Sequence, residues 1–320
     1  MRKSLTANIN RPVERILVIK LSAFGDVVQA AGAIRDIRNH HSAAELICMT
    51  TPPYRRVMER CPWVDRVFID PRDSRWRVDK MAGLRRRLRQ LGVDKVYDLQ
   101  QVGRTAFYRH WFLKNVPWLG EGPGCKYRVR DLGERGAMDR FALQLAAAGV
   151  AVQHTLNPDL SWMAADTTEI LNRMGGVREP FVVLIPGASA GRDEKRWPHY
   201  DAFARWLRSI GKAAVTVPGP DELELCRSFA NALMLTDGER YLDFFELAGV
   251  LQRAEFVLGN DTGPTHLAAH LKLNGLALFS DHLPANRTGI QHTRFSFIET
   301  DDLQSLSLER VQEKVLSLLG

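Results

Sequence analysis

Cysteine is scarce: 320 residues contain four, Cys48, Cys61, Cys125 and Cys226, with no Cys-x-x-Cys pair among them. Neither a zinc knuckle nor a disulfide framework fits that scatter, so the thiols are read as reduced. Long apolar runs are missing as well. No stretch approaches the ~20 uninterrupted apolar residues of a membrane-spanning helix, and the opening "MRKSLTANINRPVER" lacks the apolar centre of a signal peptide. The expectation is a cytoplasmic protein. The two familiar phosphate loops are also absent. No Gly-Lys-Ser/Thr closes a Walker A loop and no Gly-x-Gly-x-x-Gly follows a candidate strand, while "GEGPG" (120–124) reads as a turn.

Acidic residues are short in one half only. Residues 1–160 carry 28 Lys and Arg against 16 Asp and Glu, whereas residues 161–320 carry 16 against 21. A basic half implies an acidic partner, and nucleic acid, an anionic membrane surface and a phosphorylated glycan all qualify beside a merely soluble basic domain. The length exceeds that of a usual single domain, so two are expected.

What the chain does have is a repeated alternation. Apolar, β-branched runs stand at "RILVIKL" (15–21), "AELICMT" (44–50), "DRVFID" (65–70) and "DKVYDLQ" (94–100), then at "FVVLIPG" (181–187), "AAVTVPG" (213–219), "AEFVLGN" (254–260) and "GLALFS" (275–280). Helical patterns separate them, which predicts parallel strands covered on both faces, twice over. The unpatterned "AVQHTLNPDLSWMAA" (151–165) supplies the boundary, giving domains 1–160 and 161–320. Ligands of open α/β sheets bind beyond the carboxyl ends of the strands, so chemistry is expected in the cleft between the two.

Four polar clusters stand at such ends. In "GNDTGPTHLAAH" (259–270), Asp261 or Thr262 can cap a helix, Gly263 lets backbone approach a ligand, and Pro264 suits a first turn. Free amides at the positive end of a helix attract phosphate, though an ordinary cap with a buried His266 fits too. In "PGASAGRDEKRWPHY" (186–200), a small-residue loop with Ser189 and the point charge of Lys195 suits a diphosphate, or forms a plain turn with a solvated lysine. Asp26 closes "KLSAFGD" (20–26) as a catalytic-end acid or a helix cap. Glu222 in "VPGPDELEL" can accept hydrogen bonds from ribose hydroxyls or complement a helix dipole. One base and one anion cradle suffice to displace a nucleoside diphosphate from an anomeric carbon.

The ordered trio "ILVIKLSAFGDVVQA", "IPGASAGRDEKRWPHYDAFA" and "GNDTGPTHLAAH" resembles glycosyltransferase family 9, the bacterial ADP-heptose:lipopolysaccharide heptosyltransferases, over nearly the whole chain. The resemblance implies an α/β GT-B architecture, two Rossmann-like doubly wound domains facing a central cleft, with acceptor on the first and sugar nucleotide on the second. It implies an inverting transfer with no metal and no cofactor, the ADP-sugar being a substrate. Asp26 then matches the general base, and Lys195 with Ser189 the donor-phosphate contact. Asp261, Thr262, Gly263 and His266 match the donor motif, Glu222 the ribose site and Leu242 the adenine contact, while Ser22 and Gly25 share the loop of the base and count with the donor site. Two departures lie in the acceptor half: no proline follows in "GDVVQAAGAI", and the family's usual Asp-Leu-Gln-Gly reads "DLQQ" (98–101).

The basic surplus acquires a use in this light. "PRDSRWRVDKMAGLRRRLRQLG" (71–92) sets Met81, Leu84, Leu88 and Leu91 at helical spacing, with Arg85, Arg86, Arg87 and Arg89 around them. A helix with its stripe inward and arginines outward is predicted. Arg72, Arg75, Arg77 and Arg104 are the acceptor-binding candidates, holding phosphates and acidic sugars of a lipid A–core type glycolipid at the inner face of the cytoplasmic membrane, where the protein would sit peripherally. Three other functions compete: a non-catalytic GT-B protein that binds nucleotide sugar, a nucleotide-sugar epimerase on the same scaffold, and a nucleic-acid binder. The last has only Trp76 near its arginines for base stacking, so nucleic acid is not expected as a partner.

Overall fold

The computed structural model describes residues 13–319 apart from 130–131, 133–134, 174–176, 178, 189–195, 237–239, 281–284 and 286–287. All eight apolar runs form strands. In the front half β1 (Arg15–Ile19), β2 (Glu45–Thr50), β3 (Arg66–Ile69) and β4 (Lys95–Asp98) are joined by two short strands, β5 (Trp118–Gly120) and β6 (Tyr127–Arg128). In the back half β7 (Phe181–Ile185), β8 (Ala213–Thr216), β10 (Phe256–Asn260) and β11 (Gly275–Ser280) are joined by β9 (Leu233–Met234) and β12 (Phe295–Thr300). Every pairing among them is parallel.

The front sheet runs β3-β2-β1-β4-β5-β6 and the back sheet β9-β8-β7-β10-β11-β12. The two orders are the same, that of a dinucleotide-binding fold, with the direction of winding reversing between β1 and β4 and between β7 and β10. Alternate residues of each central strand feed different cores. Leu17 and Ile19 pack beneath the front sheet with the inward stripe of α3 (Val78–Gln90), and Val182 and Leu184 pack under the back sheet with α7 (Tyr200–Ser209) and α11 (Leu308–Leu319). Ile16 and Val18 join Phe181, Val183 and Ile185 in one continuous cluster that passes from half to half through α1 (Phe24–His40), α9 (Phe244–Arg253) and α10 (Gly263–His270). α3 buries Met81, Leu84 and Leu88 and exposes Arg85, Arg86, Arg87 and Arg89, as its spacing predicts.

The segment that leaves the front half is held by one carboxylate. Asp36 is buried in α1 and accepts the backbone N–H groups of Gln153 (3.1 Å), His154 (3.0 Å) and Thr155 (2.9 Å) and the Thr155 hydroxyl (2.7 Å). One turn earlier Gly32 lets this segment lie on the helix, because an added Cβ would stand 2.1 Å from the His154 carbonyl oxygen. Truncating the acid strands three amides and a hydroxyl, of which the Thr155 pair is buried. Asp36→Ala is expected to lower the unfolding free energy by about 2–4 kcal/mol. Urea denaturation checks this, and an unchanged midpoint would mean that water replaces the carboxylate.

Candidate active site

The turns that follow β1 and β4 in the front half, and β7 and β10 in the back half, leave the two reversal points, where open α/β sheets collect ligands. Three of the four clusters singled out above lie on these turns, and Glu222 follows β8, next to β7.

In the front half the β1 turn is fixed from below and beside. Gln100, just past β4, accepts the amides of Leu21 (2.8 Å) and Ser22 (3.1 Å) through one oxygen, and the Thr51 hydroxyl donates to the Leu21 carbonyl (2.7 Å). Asp26 caps α1 from the third position of the helix and not as its N-cap residue, which is Ala23. The helix begins at Phe24, so Asp26 is its third residue, and its half-exposed carboxylate turns back to accept the Ala23 N–H at 3.0 Å. Below it Lys20 is buried, donates to the Leu99 carbonyl (3.4 Å) and stands 4.0 Å from Asp26. Burial lowers the Lys20 pKa, against the pull of Asp26 and then Asp98. Asp98, also buried, has its carboxyl pKa raised by desolvation, opposed by the Gln101 amide, the Thr105 hydroxyl and the Gln100 amide. An ammonium thus sits between two acids, one closed in and one open to the cleft.

Gln101 occupies the left-handed region at φ 51°, a conformation that favours glycine. Its side chain bonds to Gln144 on α5 (Ala137–Ala147), an anchor a glycine lacks.

In the back half Asn260, the last residue of β10, joins three turns. Its amide donates to the carbonyls of Pro186 (2.9 Å) and Gly187 (3.0 Å), and its oxygen accepts the Tyr200 hydroxyl (3.0 Å) and the Trp197 amide (3.4 Å). Glu222 reaches the same place: it accepts the Gly219 amide at 2.8 Å, and a Cβ on Gly187 would lie 1.7 Å from its Oε1. Burial raises the Glu222 pKa. Thr262 is the N-cap residue of α10, Gly263 and Pro264 open that helix, and the Thr262 and Thr265 hydroxyls meet at 3.2 Å. Leu242 is buried one residue before Asp243, which caps α9 through the amides of Phe245 and Glu246.

The two halves meet where α1 and α10 start. A Cβ on Gly263 would stand 2.9 Å from Phe24 Cδ1 and 3.2 Å from the Gly25 nitrogen, and one on Gly25 would stand 3.3 Å from His266 Cδ2. Gln29, from α1, donates to the Thr288 carbonyl (2.7 Å) and contacts His266 Nδ1 (3.3 Å), while His266 Nε2 contacts Asp261 (3.0 Å). An amide nitrogen only donates, so Nδ1 accepts and Nε2 carries the hydrogen that Asp261 receives. Around this point Phe24 stacks on Phe244 at 4.0 Å with Tyr54 beside both, Arg56 pairs with Asp243 at 2.9 Å, and the Arg60 guanidinium covers the Phe245 ring at 4.5 Å.

Gly25, in the turn that also carries Ser22 and Asp26, is therefore brought against Gly263 and His266, and Arg72 donates to the Ser22 hydroxyl at 3.1 Å. Arg104 is turned elsewhere: it grips the buried Asp70 with two bonds of 2.7 Å and donates to the Asp73 carbonyl, so it shapes the loop that carries Arg72. Arg75 and Arg77 are exposed, the latter beside Asp79. Ser189 and Lys195 lie outside the described residues. Among the described residues no group of three His, Cys, Asp or Glu is placed to hold a metal ion, and no helix is long and apolar enough to cross a membrane.

Two Rossmann-like domains whose reversal-point turns face one another across a cleft define the GT-B class of glycosyltransferases. Residues 126–313 match the model of glycosyltransferase family 9 (heptosyltransferase), and the chain belongs to that family. It is 23% identical over 291 residues to lipopolysaccharide heptosyltransferase 1 of Salmonella typhimurium, covering 83% of this chain and 88% of that protein. Its fold is similar to the family 9 glycosyl transferase of Veillonella parvula, with a TM-score of 0.80 at 21% identity over 96% of this chain and 97% of that one. It is also similar to the Escherichia coli heptosyltransferase WaaC solved with ADP-2-deoxy-2-fluoro heptose, with a TM-score of 0.73 at 18% identity over 95% and 99%.

The contact at Gly263 has a measurable consequence. Gly263→Ala is expected to destabilise the protein by about 1–3 kcal/mol, because the methyl cannot enter without parting α1 from α10. Gly83→Ala, in α3 with nothing within 4 Å of the new methyl, is the control and should gain about 0.5–1 kcal/mol. Equal gains in both variants, read by thermal unfolding, would remove the proposed clash.

Proposed function

We propose that this glycosyltransferase transfers a heptose or related sugar from an ADP-linked donor to the acidic core of a lipid A-type glycolipid, with inversion, and that Asp26 is the general base. The Asp26 carboxylate takes the proton of the acceptor hydroxyl. That oxygen bonds to the anomeric carbon as the carbon–oxygen bond to the diphosphate breaks, and the electron pair departs on ADP. Lys195, Ser189 and the amides at the start of α10 receive the negative charge, so the leaving group needs neither protonation nor a metal. Glu222 takes the ribose hydroxyls, Leu242 packs on the adenine, Ser22 and Gly25 shape the base loop, and Asp261 with His266 completes the diphosphate side. Donor chemistry finds support in the ADP-2-deoxy-2-fluoro heptose of the E. coli relative.

The observation that supports this reading is the packing of the turn that carries Asp26 against the turn that carries Gly263, together with the half-exposed Asp26 carboxylate. Asp26→Asn is expected to cut transfer by about 10²–10⁴-fold while ADP still raises the melting temperature as it does in the parent chain. Transfer at the parental rate would end the assignment. Products formed without acceptor would point to an epimerase.

The acceptor side has its own signature. Arg72, Arg75 and Arg77 share a loop with Trp76, 92% exposed, and Val78, 76% exposed. Arginines with an open indole beside them suit an anionic headgroup layer, and a peripheral seat on the inner membrane face follows. Trp76→Ala is expected to weaken binding to phosphatidylglycerol vesicles about tenfold, from the ~1.5–3 kcal/mol of an inserted aromatic side chain. Unchanged sedimentation with the vesicles, or binding insensitive to salt, would count against that seat.

A further inference from the structure

A second cavity lies at the far end of α10, outside the site described above. It encloses about 370 Å³ between the inter-domain segment (Leu156, Asn157, Pro158), the last turn of α10 with Lys272, and the loop 289–294. Its floor holds His270, which is buried and whose Nε2 finds no partner, and His292, whose Nε2 contacts the Ala269 carbonyl. Its rim holds Lys272 and Arg294, both exposed. Among the described residues neither cation has a carboxylate within ion-pair distance, and no residue lining the cavity is acidic. Asp159, the acid that feels Lys272, is occupied by the Ser161 amide (3.0 Å) and stands 3.8 Å from Arg35.

We propose that this cavity binds a small phosphorylated metabolite of sugar-phosphate size. Its volume falls at the lower end of small-molecule sites. An ammonium and a guanidinium facing the same space suit a phosphate dianion, the first as a point charge and the second as a two-pronged donor. Asn157, Gln291 and Thr293 supply the amides and hydroxyl that sugar oxygens require. A buried imidazole nitrogen without a partner is costly unless something fills the space before it. The donor motif begins at the opposite end of the same helix, about 12 Å away for eight residues. A ligand here touches both the back half and the segment that Asp36 clamps to the front half, so it ties the two halves together.

The test is calorimetric titration of the full chain with glucose 6-phosphate and, separately, with glucose, each with and without saturating ADP. The phosphorylated sugar is expected to bind with ADP present, glucose to give no heat, and the double variant K272Q/R294Q to bind at least tenfold more weakly while its own unfolding temperature stays within a degree or two. The proposal is overturned by absence of binding up to about 1 mM, the upper end of ordinary substrate levels, by equal binding in the double variant, or by competition with ADP, which would place the anion in the donor site. ADP titrated alone reports on the donor assignment independently, so the two ideas fail by different readings.

Discussion

Two glycines touch, and the geometry of the cleft follows from that. Gly25 and Gly263 stand at the first turns of α1 and α10, and each is the residue against which the other helix rests. Without side chains between them the two helix starts come together. Each is the positive end of its helix dipole, so two such ends are adjacent here. The hydrophobic cluster that runs from the front sheet through α1 and α10 to the back sheet backs this contact with packed side chains.

Electrostatics sharpen the asymmetry of the two sides. Lys20 is too buried to be held by water, so its charge depends on Asp26 and Asp98. Asp98 is sealed and accepts hydrogen bonds from the Gln100 and Gln101 amides, whereas Asp26 is half-exposed. A carboxylate that borders a buried ammonium on one side and solvent on the other stays available to a hydroxyl arriving from the cleft. On the opposite side Glu222 is half-buried against Gly187 and Gly219, and burial raises its pKa.

The alternation of apolar runs made the fold legible. Strands covered on both faces are near-continuous in valine, isoleucine and leucine, and all eight such runs form strands. The strands without such a run are short or sit toward the edges: β6 and β9 have two residues, β5 has three, and β12, at an edge, buries only Phe295 and Ile298. The polar clusters were legible because they stand at strand ends, where buried chain has no other use for an acid beside glycine. What stayed hidden were side chains whose partners lie far off in sequence. Nothing local distinguishes Gln29, Asn260, Gln100 or Asp36, since each acts on backbone atoms 63 to 259 residues away. Arg104 misled for the same reason, because an arginine in a basic segment reads as surface charge until Asp70, 34 residues earlier, is seen beneath it.

Gln29 links the halves in a way that reaches the chemistry. Its amide donates to the Thr288 carbonyl and to His266 Nδ1, so a front-half residue dictates which nitrogen of a back-half imidazole carries hydrogen. That hydrogen then points at Asp261, fixing the carboxylate beside the first amides of α10. If the halves part, Gln29 withdraws and the imidazole is released to take either tautomer. The order of the His266–Asp261 pair therefore depends on the contact between the halves, and whatever favours that order favours the joined halves by the same free energy.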